Sequence, residues 1–184
     1  MRQRFATFLV LLCVIFAVQV RAQDADSEAR DATREKLREL LESAGDRDDV
    51  NVSFHQSTKE PYNFTGTMKD RLSNVESLEI VLRVTSTDTI NLRVFPHYKG
   101  GYINLNKLKD ERAFLRQLAH YNDSNFLYWG ADDSDDVFTG YTVTLESGFP
   151  EEALTIVLRS IRATDRFVGE LRKSIDGSSA AKSK

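Results

Sequence analysis

The stretch from Ser77 to Pro96, "SLEIVLRVTSTDTINLRVFP", decides the fold. Leu78, Ile80, Leu82 and Val84 recur at every second position, so all four point to the same side of an extended chain. Beyond a polar link near Ser86 to Thr89, Leu92 and Val94 resume the pattern. This period of two predicts a pair of antiparallel strands with one face turned toward a core.

Weaker alternating segments precede this pair: "NVSFHQ" from Asn51 and "YNFTGTMK" from Tyr62. A second hairpin follows, "NFLYWG" from Asn125 and "VFTGYTVTLE" from Val137, with Val137, Thr139, Tyr141, Val143 and Leu145 on one face. Helical spacing flanks the strands. "ATREKLRELLESAG" places Leu37, Leu40, Leu41 and Ala44 on one stripe, and Gly45 is positioned to stop it. "NKLKDERAFLRQLAHYN" predicts a stripe of Leu108, Leu115, Leu118 and Ala119 behind an Asn106 cap. "FPEEALTIVLRSIRATDRFVGELRKSI" opens with Pro150, Glu151 and Glu152, which favour a helix start, and runs Leu154, Val157, Leu158, Ile161, Val168, Leu171 and Ile175 along one side. As one helix it would be about 38 Å long, more than a small sheet covers. The spare length predicts packing on a second copy, hence a homodimer. The sum is an α+β domain: an antiparallel sheet of about five strands with three helices mainly on one face.

The first residues, "MRQRFATFLVLLCVIFAVQVRAQD", carry Arg2 and Arg4, then an apolar run from Phe8 to Val18, then small residues at Val20 and Ala22. This is the pattern of a secretory signal peptide cleaved before Gln23. The alternative, a retained anchor, wants about 20 apolar residues. Cys13 follows Leu11 and Leu12 without the small residue of a lipid-attachment site. The expectation is a periplasmic or secreted protein, divided into a signal peptide (1–22), a flexible lead-in (23–31), one domain (32–175) and a flexible polar tail (176–184). Cys13 is the only cysteine, so cleavage leaves no disulfide, thiol nucleophile or thiolate metal site. The 184-residue chain has 25 basic and 28 acidic residues; losing Arg2, Arg4 and Arg21 leaves 22 basic residues and a charge of −6. A negative chain without a basic stripe gives no electrostatic reason to bind nucleic acid or, after cleavage, a membrane.

The "DDSDD" run, Asp132 to Asp136, lies between the strands of the second hairpin. An EF-hand loop needs glycine at its sixth position and glutamate at its twelfth. From Asp132 these fall on Val137 and Val143, from Asp133 on Phe138 and Thr144. The run therefore reads as a solvated turn, with a weak Ca²⁺ site of another geometry as the alternative.

The order helix, strands, helix, hairpin, final helix resembles the YbjN-like family, whose fold is that of type III secretion chaperones. The resemblance spans Ala32 to Ile175. It is clearest from "LRQLAHYNDSNFLYWGADD" through "VFTGYTVTLESGFPEEALTIVLRSI". It implies a module for sensory regulation or partner binding and supplies no catalytic residues. An export signal and the segment "VFPHYKGGYINLN" depart from the family's usual picture.

His55, His97 and His120 show no HxH, HExxH or HxxxH spacing, and no serine lies in GxSxG. No catalytic, cofactor or metal set is assigned. "HYKGGY" places His97, Tyr98, Lys99 and Tyr102 around two glycines, either a ligand or peptide loop or a wide turn. Trp129, beside the acidic turn, is the aromatic picked for a surface role. The chain carries N-x-S/T sequons at Asn51, Asn63 and Asn122. The expected function is noncatalytic binding of a peptide or protein partner, with a small-ligand sensor as alternative and a hydrolase third.

Overall fold

Alternation in the Ser77–Pro96 stretch becomes burial on one side of a sheet. The strands β3 (Ser77–Val84) and β4 (Thr89–Tyr98) pair antiparallel, with Ile80 opposite Val94, Leu82 opposite Leu92 and Val84 opposite Ile90. Each of these six side chains is at most 1% exposed. The computed structural model describes residues 27–178, so the signal peptide, the first part of the lead-in (23–26) and the end of the tail (179–184) lie outside the described residues.

Around that pair the chain adds α1 (27–45), β1 (Phe54–Gln56), β2 (Asn63–Met68), β5 (Gly101–Tyr102), a 3₁₀ turn at Leu105–Lys107, α2 (Glu111–Ser124), β6 (Tyr128–Ala131), β7 (Val137–Thr144), α3 (Glu151–Ser160) and α4 (Ala163–Ile175). The sheet is antiparallel in the order β1-β2-β3-β4-β7-β6, with β5 hydrogen-bonded to β4. Seven strands and four α-helices replace the expected five and three. Both weak segments do form strands, and a two-residue strand too short to show a period follows β4.

Apolar side chains from all four helices meet the buried strand residues in one core. Leu37 and Leu41 of α1, Phe114 and Leu118 of α2, Leu154 and Leu158 of α3, and Val168 and Leu171 of α4 join it. The opposite sheet face carries no helix residue of this cluster. Helix α1 buries its predicted leucines and starts earlier than read, since residues 27–31 are helical. Arg30 holds it there, stacking 3.5 Å from the Tyr62 ring centroid and donating to the Val84 carbonyl at 2.7 Å. Gly45 ends the helix where Val52 crosses it, and a Cβ there would collide with the Val52 carbonyl.

Two helix readings need correction. In α2 the buried stripe is Phe114, Leu118 and Tyr121, whereas Leu115 is 43% exposed. The two aromatics offer more area to bury than Leu108 and Leu115 do, and they set the rotation. Asp110, not Asn106, caps this helix by accepting from the Ala113 N–H at 2.9 Å.

The predicted long helix is two. At its joint Thr164 N–H donates to Ile161 O and Asp165 N–H to Arg162 O, three residues back instead of four. Arg162 turns outward from this joint to the Asp70 carbonyl. Asp165, only 7% exposed, accepts from the backbone N–H groups of Ser73, Asn74 and Val75 at 2.7–3.1 Å. The homodimer expectation rested on one continuous helix, and the chain interrupts that helix at Ile161–Arg162.

The free edge of β6 is plugged from within. Asn122 of α2 accepts from Trp129 N–H at 2.6 Å and donates to Trp129 O at 3.2 Å, taking the place of a neighbouring strand. That sequon asparagine is therefore structurally engaged.

Replacing Leu82 with alanine is expected to cost about 2–5 kcal/mol. Arg83→Ala, one residue away on the open face, should stay within about 0.5 kcal/mol. Asp165→Ala should cost about 3 kcal/mol, because it strands buried backbone donors. Equilibrium urea unfolding of the three variants checks the ranking.

Candidate interaction surface

On the uncovered face the alternate strand residues come together. Glu79, Val81 and Arg83 of β3 lie beside Asn91, Arg93, Phe95 and His97 of β4. Further across, Phe138, Gly140 and Thr142 of β7 and Tyr128 of β6 continue the face. Phe138 is only 5% exposed yet stands outside the helix-side core. Its cover is a set of rings: Phe95 at 5.6 Å and Tyr128 at 6.0 Å between centroids, with the Arg93 guanidinium 4.5 Å away. Tyr128 reaches this position because Gly140 leaves room; a Cβ there would lie 2.9 Å from the tyrosine ring. Tyr102 closes the other side, 5.8 Å from Phe95. Tyr102 and Tyr128 remain 39% and 38% exposed, so the cluster presents aromatic surface to solvent.

At one border of the patch Glu79 receives two donors. Tyr102 Oη donates to Glu79 Oε2 at 2.7 Å, and His97 Nε2 lies 3.2 Å from the same oxygen. The His97 and Tyr102 rings meet edge to face at 4.4 Å. The hydrogen bond to the carboxylate, with partial burial, pushes the Tyr102 hydroxyl up to about 12.

Of the predicted surface residues, His97 and Tyr102 lie on this face. Tyr98 and Lys99 do not. Tyr98 projects to the helix side and donates to Asp176 Oδ2 at 2.9 Å, and Lys99 pairs with the same carboxylate. Lys99, followed by Ser178 and Tyr98, holds the Asp176 carboxyl well below the usual carboxylate range. Lys99 and Gly100, with φ of 53° and 84°, form the tight two-residue turn between β4 and β5, so the segment is a hairpin and not a wide loop. Beneath it lies a half-open cleft of about 290 Å³ lined by Tyr98, Tyr102, Ile103, Leu108 and Ile175.

Trp129 is not a surface residue. It pairs with Thr139, whose register faces the helices, and is 5% exposed between Tyr121 and Phe167. The surface aromatics are instead Tyr102, Tyr128 and Phe126, the last 55% exposed against Tyr141. Tyr128 pairs with Gly140, out of phase with Val137 and Thr139, and it is this register that places it on the open face.

Aspartates of the acidic turn bond their own neighbourhood. Asp132 Oδ1 accepts from Ser134 N–H at 2.9 Å and Asp136 N–H at 3.0 Å. Asn104 and Asn106 donate to Asp136 and Asp135 at 2.9 and 2.7 Å. Among the described residues no group of three or more His, Cys, Asp or Glu is arranged to hold a metal ion. His97 does meet a carboxylate, and His55 Nε2 lies 3.5 Å from Ser53 Oγ. His97 thus belongs to the Glu79–Tyr102 cluster at the border of the open face, and His55 meets Ser53 beside β1. His120 is exposed near the end of α2.

No protein family and no curated protein matches the chain. A solved structure described as the ExsC–ExsE complex is similar over 79% of this chain and 98% of that chain, at 15% identity and a TM-score of 0.44. At that degree of likeness neither fold nor function transfers.

The Tyr102–Glu79 contact has a defined pH signature. The folded-state value near 12 stands above the ordinary 10.0. Stability from this contact is therefore complete below pH 10 and lost as pH rises through 12. A phenolate absorbance titration, taken as wild type minus Tyr102→Phe, should show this late ionisation. Glu79→Gln should bring it back toward 10.

Proposed function

We propose that this protein is a noncatalytic binding module of the bacterial envelope whose open sheet face receives a peptide or protein partner. One observation carries the reading: a sheet covered by helices on a single side, with Phe95, Tyr102, Tyr128 and Phe138 gathered on the other. Exposed aromatic surface beside arginine has the composition of protein interfaces, where Tyr, Phe and Arg are enriched. Export rests on the sequence pattern of residues 1–22. The YbjN-like resemblance points the same way, toward partner binding without chemistry. A second copy is one partner that such a face accommodates.

Sensing of a small ligand is the second reading, favoured by the cleft beneath the β4–β5 hairpin. Its 290 Å³ lies at the lower end of ligand pockets, which hold about 300–1,000 Å³. Two tyrosines, a lysine and an aspartate at its rim are already bonded to one another or to Glu79.

A photoreactive phenylalanine derivative at position 102, in the mature chain 23–184, is expected to crosslink a defined polypeptide in the envelope of the source bacterium. The same probe at Ile156, which is 58% exposed on the helical layer, serves as the off-face control. Capture from position 156 and not from position 102 would move the binding surface to the helices. Capture of the protein by itself from position 102 would identify a homodimer.

A further inference from the structure

We propose that the open face selects an acidic, extended polypeptide segment, a conclusion that rests on the binding reading above and adds the chemistry of the partner. Arg83 and Arg93 are exposed on adjacent strands of this face. Arg83 lies opposite Asn91 and Arg93 opposite Val81, two pairs apart along the strands and on the same face. Arg34, Arg38, Arg47 and Arg159 on the helical side each hold a carboxylate. Arg83 and Arg93 have none within salt-bridge distance among the described residues.

Arg93 is also held in place. Its guanidinium rests 4.5 Å from the Phe138 centroid, so part of its rotamer freedom is already lost and its planar fork of donors is presented to solvent. A carboxylate approaching along the sheet meets two such forks beside half-buried Val81 and Phe95 and exposed Tyr102 and Tyr128. Glu79 is the one carboxylate among the strand residues of the face, and Tyr102 and His97 occupy it. Among its strand residues the face sets two arginines against one glutamate; Asp132 and Asp136 of the β6–β7 turn act on Tyr102, so the positive part is the Arg83–Arg93 side. Its complement is a segment carrying Asp or Glu next to apolar residues on the same side of an extended chain, where side chains two apart point together.

A fluorescein-labelled peptide with a repeating Glu-Glu-Leu-Leu pattern presents both residue types on each side when extended. Its Lys-Lys-Leu-Leu counterpart reverses only the charge. Fluorescence anisotropy at low salt should show binding of the acidic peptide and not the basic one, weakening as salt is added. The double change Arg83→Glu and Arg93→Glu should lower affinity about tenfold or more. Arg93→Gln should lower it by a smaller factor, and Arg112→Glu, an exposed change on α2, should leave it unaltered. Circular dichroism and urea midpoints confirm that each variant is folded.

Binding of the basic peptide, or an equal loss with Arg112→Glu, would overturn the proposal. So would preferential binding of labelled oligothymidylate, which stacking rings and guanidinium groups also suit. Repeating the position-102 crosslink in the double variant separates the two conclusions. If the acidic peptide fails to bind and the captured partner is unchanged, the acidic selectivity is wrong and the binding face stands. If position 102 captures nothing, both fall.

Discussion

Everything in this fold depends on burial being confined to one side of the sheet. Leu78, Ile80, Leu82 and Val84, with Ile90, Leu92 and Val94 across from them, are 0–1% exposed and meet apolar side chains from all four helices. Because the side-chain period of a strand is two, whatever packs these residues inward forces Glu79, Val81, Arg83, Arg93 and Phe95 outward. The character of the open face is thus written by the same alternation that makes the core. A slip of one residue in β4 would exchange Leu92 for Arg93, which is why the register is so strongly held.

The helical layer is assembled by polar contacts as well as apolar ones. Asp165 does two jobs from one buried position. It gathers the N–H groups of residues 73–75, the loop that leads into β3, and it fixes the joint between α3 and α4. Arg162 does the same for the carbonyl groups near residues 49, 50 and 70. The three-residue bonding at the joint separates α3, which buries Leu154, Val157 and Leu158, from α4, which buries Val168 and Leu171. Buried Asp165 is met by three backbone N–H groups and by the Asn74 side-chain amide, so the loop and the helix start depend on each other.

Local periodicity was sufficient for the strands and for α1, because their faces are set by a single apolar stripe. It failed where a distant contact decides. Nothing between Phe149 and Ile175 marks a break, since the polar pair Thr164 and Asp165 looks like an exposed turn of helix until the loop at residues 73–75 is brought against it. In α2 the leucines and the aromatics define stripes rotated from each other, and only packing against α4 and β6 selects Phe114 and Tyr121. Trp129 was misjudged for a related reason. Its side of the sheet follows from pairing with Thr139, a partner that strand composition alone does not name. The site was half legible: "HYKGGY" does border the candidate face, but β4 sends His97 to one side and Tyr98 to the other. Arg83, Arg93 and Phe138 come from three strand segments with no motif in common, so sequence reading had no reason to group them.

How a partner would approach is constrained by the edges. An open antiparallel sheet invites strand addition at its ends. Here β1 is only three residues long, and at β6 the carboxamide of Asn122 already occupies both backbone groups of Trp129. Main-chain pairing at β6 would first have to displace that side chain and lose two hydrogen bonds. The face has no such plug, and its largest apolar group, Phe138, is screened by Arg93, Phe95 and Tyr128 without being sealed. Screening keeps the patch from acting as bare hydrophobic surface, and exposed Arg83 and Arg93 set positive side chains beside it. A short edge at β1, an occupied edge at β6 and an open aromatic face together favour a partner laid across the strands over one added beside them.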